Sequence, residues 1–258
     1  MSERRIVARD NPLLVRLRKL VQTPGAYRKA GQVWIEGEHL CEAALTRGLP
    51  LALAVATDEA LARPALQRLH AACADRVVLS SALFASISGL PSPAAIGGLI
   101  DLPAPPTLQP AVDTVVLDGL QDAGNVGSIL RSASALGVRQ VLAIKGTAAL
   151  WSPKVLRAGM GAHFQLALLE GLQVDALDAL SLGLVATSSH AALALPQANL
   201  PRPCGWVFGH EGQGVSAELS RRCALTVRIP QPGGEESLNV AAAAAICLYE
   251  SARQGGAR

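Results

Sequence analysis

From residue 112 onward, short apolar runs alternate with stretches of helical spacing, and this alternation constrains the fold more than any other feature of the chain. Residues 114–117, 140–144, 165–168, 183–187, 205–208 and 225–228 read as strands. Residues 126–136, 153–159, 174–180, 216–222 and 238–253 read as helices. Strands that take turns with helices form a parallel sheet, and such sheets bind ligands outside the carboxyl ends of their strands.

A break precedes this part. Residues 101–111 carry four prolines in eleven positions, which fits neither a helix nor a central strand and reads as a semi-rigid linker. It separates residues 1–100 from residues 112–258. In the first part, 11–21 reads as a helix, with Leu13, Leu14, Leu17, Leu20 and Val21 at helical spacing. Apolar runs at 33–35, 52–56, 77–79 and 95–100 alternate with helical stretches at 37–47 and 58–72, so a small α/β domain is expected.

Half of the 258 residues are apolar and 17% are charged, which suits a filled core rather than a disordered chain. Aromatic residues make up only 3%, which argues against RNA-binding modules built on stacking platforms of Phe, Tyr and Trp. Charge is unevenly spread. Residues 1–31 hold eight Lys or Arg against Glu3 and Asp10, a net of +6 in a chain whose total is +3. A basic arm of this kind suits a polyanion, and it also reads as the solvated face of an amphipathic helix. The five cysteines are widely spaced without a C-x-x-C pair, and the five histidines lack ligand spacing. Reduced thiols, no disulfide framework and no metal site are expected. No apolar run approaches 18 residues and the N-terminus is charged, so neither a membrane span nor a signal peptide is expected, and the location expected is cytoplasmic.

Three segments carry chemistry. The first runs from Leu117 to Ala133, with an acidic loop (Asp118, Asp122) ahead of a helix expected to begin near Asn125. Asn125 reads equally as a helix cap and as a ligand group, and Arg131 as an exposed side chain or as the cation for a phosphate. The second is Val207 to Gly214, where three glycines after a strand allow close backbone approach or positive φ, and Glu211 stands among them. It is not a phosphate-binding P-loop, because Val215 stands where Lys and then Ser or Thr would follow, and G-x-G-x-x-G occurs nowhere in the chain. The third runs from Ile229 to Val240, a Pro/Gly loop that ends in Ser237-Leu238-Asn239 ahead of an alanine-rich helix. Ser237 reads there as a cap or as part of a ligand site.

Together the segments resemble the SpoU (TrmH-type) family of RNA ribose 2′-O-methyltransferases of the SPOUT superfamily. The resemblance rests on Asn125, Gly127 and Arg131, then on Gly209, Glu211 and Gly212, then on Ile229, Pro230, Gly233, Ser237, Leu238 and Asn239, in that order. It covers about residues 112–253. Gln231 stands where a Met is common, Ala123 where a Pro is common, and Ala241 where a Ser is frequent. The run Trp34 to Leu40 resembles the L30e/L7Ae-like substrate-binding domain that precedes the catalytic domain in several ribosomal RNA members.

The resemblance implies an α/β fold whose parallel sheet is tied into a C-terminal deep trefoil knot and preceded by a small α/β L30e-like domain. It implies residues 1–100 as an RNA substrate-binding domain and 112–258 as the catalytic domain. S-adenosylmethionine is the implied cofactor, held by main-chain groups near Thr187, Gly209, Ile229 and Leu238. Asn125, Arg131, Glu211, Ser237 and Asn239 are the implied catalytic residues, structured RNA (ribosomal rather than transfer) the partner, and a homodimer the assembly, with the apolar helix around residues 241–249 in its interface. A ribose hydroxyl is a poor nucleophile, and a positioned base is worth about 10²–10⁴ in rate. Deprotonating an ordinary arginine at neutral pH costs on the order of 7 kcal/mol, which favours Arg131 as a cation that grips phosphate and stabilises a forming alkoxide. Three other activities remain open at this level: a transfer RNA 2′-O-methyltransferase, a base-methylating SPOUT enzyme, and a non-catalytic RNA-binding assembly protein that keeps the knot. An unrelated nucleotide-binding α/β enzyme is disfavoured by the missing phosphate-loop fingerprints.

Overall fold

A computed structural model describes residues 2–233 and 237–256 and divides the chain into two compact units. The first comprises residues 1–104 and 151–164, the second residues 105–150 and 165–258. Among the described residues no helix is long and apolar enough to cross a membrane.

The first unit holds five strands, β1 (Ser2–Ile6), β2 (Gln32–Glu36), β3 (Leu51–Thr57), β4 (Asp75–Leu79) and β5 (Ile96–Asp101), in the order β1-β4-β3-β5-β2. β1, β4 and β3 are parallel, and β5 pairs antiparallel with both β3 and β2. β3 is buried at every position but Ala52, as a central strand covered on both faces should be. Trp34 is 2% exposed and packs against Phe84 with ring centroids 6.3 Å apart. β5 fits beside β2 because it carries glycine: a Cβ on Gly97 would lie 2.5 Å from the Trp34 ring and 2.9 Å from the Ile35 carbonyl oxygen.

Two expectations for this unit change. The basic arm begins as the edge strand β1, where Arg4 pairs with Asp75 at 2.8 Å and Arg5 with Asp58 at 2.6 Å, so these two cations already have acidic partners. The helical stretch expected at 58–72 is two helices, Asp58–Leu61 and Pro64–Ala71, because Pro64 lacks an N–H and opens a new helix at its first position.

The second unit is a six-stranded sheet of β6 (Thr114–Asp118), β7 (Gln140–Ile144), β8 (Ala167–Leu172), β9 (Gly183–Thr187), β10 (Cys204–Gly209) and β11 (Leu225–Val227). Its order is β11-β9-β10-β6-β7-β8, and every pairing is parallel. Val116, Leu142, Leu184 and Val207 from four strands meet Leu177 and Leu219 in one buried cluster. The helix Val240–Gln254 packs on the helix Ala123–Ala135 and on β10, where the Trp206 indole N–H donates to Ser251 Oγ at 2.8 Å. The stretch expected as a helix at 174–180 is a 3₁₀ helix, Val174–Ala179, and the strand expected at 165–168 lies at Ala167–Leu172 behind a second 3₁₀ turn. All five cysteines are free, and burial pushes the thiols of Cys41 and Cys204 up to about 12, which keeps them protonated.

Gly97→Ala tests the close approach of β5. Backbone cannot yield as a flexible side chain can, so the substitution should destabilise the protein by about 1–3 kcal/mol, read as a lower urea midpoint at unchanged slope; an unchanged midpoint would show that β5 has room to shift.

Candidate active site at the carboxyl ends of the strands

β6 and β10 lie side by side with their ends in register, Gly209 opposite Asp118. The chain leaves β6 for β7 on one side, whereas β10 stands on the other, the change of direction at which open parallel sheets bind ligands. The first two motif segments issue from these adjacent ends.

Each loop is tied down locally. Asp118 is buried, and its Oδ2 accepts the Ser216 N–H at 2.7 Å, which fixes the far side of the second loop. Thr147 donates its hydroxyl to the Leu117 carbonyl at 3.0 Å and accepts the Gly119 N–H at 3.2 Å, which pins the start of the first loop. The second loop folds tightly onto itself. A Cβ on Gly209 would stand 2.1 Å from the Gly214 carbonyl carbon, and Gly214 has φ +70°. The close approach that Gly209 permits is therefore to its own loop.

Glu211 projects from that loop to the first segment. Its Oε1 accepts from the Asp122 N–H and from Asn125 Nδ2, both at 3.2 Å, and its Oε2 accepts from the Gln121 N–H at 3.4 Å. Asn125 Oδ1 in turn accepts from Asn239 Nδ2 at 2.9 Å. The Asn239 Oδ1 accepts the N–H groups of Ala241 and Ala242 at 2.9 and 3.2 Å, capping the helix Val240–Gln254. One chain of hydrogen bonds thus joins all three segments. Burial pushes the Glu211 carboxyl up, but the hydrogen bonds from its own N–H, Asn125, Asp122 and Gln121 outweigh it and hold the group below the usual carboxylate range.

The caps differ from those expected. The first helix begins at Ala123 with Asp122 as its cap, accepting the Asn125 N–H at 2.7 Å, so Asn125 lies inside the first turn with its amide free to bridge. The last helix is capped by Asn239, leaving Ser237 and Leu238 exposed just ahead of it. Gly234, Glu235 and Glu236 of the third segment lie outside the described residues.

Arg131 stands on the exposed face of the Ala123–Ala135 helix, six positions from Asn125, and its side chain has no hydrogen bond or ion pair among the described residues. At 3.6 residues per turn the two side chains point about 120° apart around the axis, so Arg131 does not join the Glu211–Asn125–Asn239 chain. Thr187 ends β9 opposite Val227, and Ile229, half-buried, follows β11 by two residues. Beyond it the Gln231 Oε1 is buried without a hydrogen-bond partner among the described residues. Such an orphaned acceptor fits a ligand with an N–H donor. No cluster of His, Cys, Asp or Glu that could hold a metal ion occurs among the described residues. Asp118, Asp122, Thr147 and Ser216 escaped the sequence reading as positioning groups; a lone acid at the end of an apolar strand was the one signal, at Asp118.

Comparison with known proteins identifies the family. Residues 113–249 match the SpoU rRNA Methylase family. The chain is 30% identical to the 23S rRNA (guanosine(2553)-2′-O)-methyltransferase RlmP of Bacillus subtilis, over 90% of this chain and 92% of that protein. A crystal structure of an RNA 2′-O ribose methyltransferase, 33% identical, superposes with a TM-score of 0.84 over 98% of this chain and 99% of the other. The fold is also that of the SpoU methyltransferase AviRb from Streptomyces viridochromogenes solved with AdoMet, at a TM-score of 0.85, 24% identity and coverage of 95% of this chain and 98% of that one.

The depressed pKa of Glu211 has a sign that can be checked. The stabilisation it gives is whole above about pH 4.3, the ordinary glutamate value, and is lost as the pH falls through the lower folded-state midpoint. In a carboxyl ¹³C titration, Asn125→Ala should raise that midpoint toward the ordinary value. A midpoint indifferent to Asn125→Ala would show that the amide does not hold the charge.

Proposed function

Because the chain belongs to the SpoU rRNA methylase family, we propose that it transfers a methyl group from S-adenosylmethionine to a ribose 2′-hydroxyl of RNA, with ribosomal RNA as the substrate class. The observation that carries this is the hydrogen-bond chain from Glu211 through Asn125 to Asn239, which gathers three distant segments at the carboxyl ends of β6 and β10.

The residues present suit the cofactor. Gln231 supplies a buried acceptor for one of its amino groups, and main-chain groups at Thr187, Gly209, Ile229 and Leu238 lie at or just beyond the ends of β9, β10 and β11 or beside the Asn239 cap. When bound, the sulfonium supplies an electrophilic methyl group. The chain must then present the ribose oxygen and manage its proton. Arg131 is a cation with no internal partner among the described residues, free to grip the phosphate of the target nucleotide and to stabilise negative charge developing on the 2′-oxygen. Ser237 and Asn239 offer a hydroxyl and an amide to orient the ribose or to relay the proton of its 2′-hydroxyl to solvent, Asn125 holds the nucleotide edge, and Glu211 braces both amides through Asn125.

The same proposal covers the architecture. β11 lies outside β9, while the helix after it returns to β10 and to Ala123–Ala135. The Arg228 N–H donates to the Leu193 carbonyl and the Leu195 N–H to the Arg228 carbonyl, so the residue just after β11 is laced to the β9–β10 connection that a trefoil knot would thread. Residues 1–100 serve as an L30e-like RNA-binding domain joined through the 101–111 linker to a catalytic domain over 112–258, except that residues 151–164 pack with the first unit, in a cytoplasmic enzyme. Ile246 (41% exposed) and Tyr249 (62%) give the Val240–Gln254 helix an apolar face suited to a homodimer.

Labelled S-adenosylmethionine incubated with unmodified ribosomal RNA should leave label at a position resistant to alkaline cleavage. Arg131→Ala should lower that turnover by about 10²–10³ with cofactor binding intact; wild-type turnover would remove Arg131 from the chemistry. Gln231→Met, which deletes the orphaned acceptor, should weaken cofactor binding by about 3- to 10-fold in calorimetry, the scale of one neutral hydrogen bond. Unchanged affinity would place the cofactor away from Gln231.

A further inference from the structure

The first unit contains a groove of about 250 Å³, none of whose lining residues belongs to the three motif segments. Its apolar wall is formed by Val21, Trp34, Leu90 and Leu156, and two exposed cations, Lys154 and Arg157, stand at the same groove. The two cations lie three residues apart in the helix Pro153–Gly159, a spacing that sets side chains side by side. Neither makes an ion pair or side-chain hydrogen bond among the described residues, unlike Arg4, Arg5 and Arg63 of the same unit.

One acid also lines the groove, and it is fully engaged. Glu36 Oε1 accepts from the Ser88 hydroxyl and from the Ala94 N–H at 3.4 Å, while Oε2 accepts from the Gly89 N–H at 3.2 Å and the Trp34 indole at 3.5 Å. This carboxylate fastens the 88–94 loop to β2 and has no lone pair left for Lys154 or Arg157. What remains is a small apolar slot beside two unpaired cations. A free inorganic anion would gain nothing from the slot, and an apolar helix would strand the cations. A single nucleotide uses both parts, with an apolar face for the base and a phosphate for the guanidinium fork and the ammonium. The volume falls just below the 300–1,000 Å³ common for drug-sized ligands, which suits one nucleotide rather than a longer segment.

We propose that this groove is an RNA subsite that captures one unstacked nucleotide of the substrate, with its base against Leu90 and Leu156 and its phosphate held by Lys154 and Arg157. The proposal rests on the reading that the substrate is RNA. Residues 151–164 pack with the first unit although they lie in sequence between β7 and β8. The segment from outside residues 1–104 brings the cations that complete the subsite.

The test uses the full-length chain and a ribosomal RNA fragment that it methylates, with affinity measured across a salt series and cofactor affinity measured separately. The double variant Lys154→Ala/Arg157→Ala should bind this RNA about 10-fold more weakly or worse, the scale of hydrogen bonds to a charged group. Its salt slope should fall by roughly 0.7 for each single-strand phosphate that the variant no longer neutralises, with cofactor affinity unchanged. Arg157→Lys, which keeps the charge and loses the fork, should fall between. Photo-cross-linking of the wild type should attach a nucleotide to the peptide carrying Leu90 or to the one carrying Lys154. Wild-type RNA affinity and slope in the double variant would overturn the subsite while leaving the methyltransferase reading intact. Failure of the wild-type chain to bind or methylate any RNA would overturn both.

Discussion

The bond from the Glu211 carboxylate to the Asn125 amide is the constraint on which the rest of the site depends. It spans 86 residues of sequence, and the next link, Asn239 to Asn125, spans 114. An amide suits the middle of such a chain because it donates through nitrogen and accepts through oxygen at once. A carboxylate in that place would face Glu211 as a like charge, and an alkyl group would leave both neighbours unsatisfied. Glu211 holds its charge because four N–H groups point at it, so the loop that carries it is fixed by electrostatics as well as by its glycines.

Everything beneath that chain serves to bring its members within reach. Parallel pairing of β6 with β10 sets Asp118 and Gly209 at the same level, and each loop then leaves from a buried anchor. Asp118 takes the Ser216 N–H and Thr147 takes that of Gly119, so two loops rich in small residues have fixed feet. Asn239 links the last helix to the same point through its cap. A helix that begins at the site and then packs along Ala123–Ala135 and β10 couples cap geometry to the packing of the second unit. Arg131 is the exception. It is placed by the same helix as Asn125 but turned away from the network, exposed and without an ion pair or hydrogen bond among the described residues.

Much of this was legible in the sequence because the relevant signals are local. The alternation of apolar runs with helical spacing gave the parallel sheet, since strands covered on both faces are continuously apolar, and the three motif segments gave Asn125, Glu211 and Asn239. What was missed depends on contacts between distant residues or on competition between neighbours. β1 contains two consecutive arginines and has no alternation; it is a strand because β4 offers it a parallel edge and Asp75 and Asp58 meet its charges. Asp122 and Asn125 both qualify as helix caps, as do Ser237 and Asn239, and only the backbone path decides between them. Residues 174–179 have helical spacing but wind as a 3₁₀ helix with Leu177 held in the core. The roles of Thr147 and Gln231 are set by tertiary neighbours that no window of sequence contains.

The most direct test of this account is a double-mutant cycle on methyl transfer with Glu211→Gln, Asn239→Ala and the pair together. If the three segments act as one hydrogen-bonded unit, each single substitution breaks it, and the pair should lose little more activity than the more damaging single change. Losses that multiply, with each substitution costing the same factor whether or not the other is present, would show that Glu211 and Asn239 act independently and that the chain through Asn125 does not organise the site.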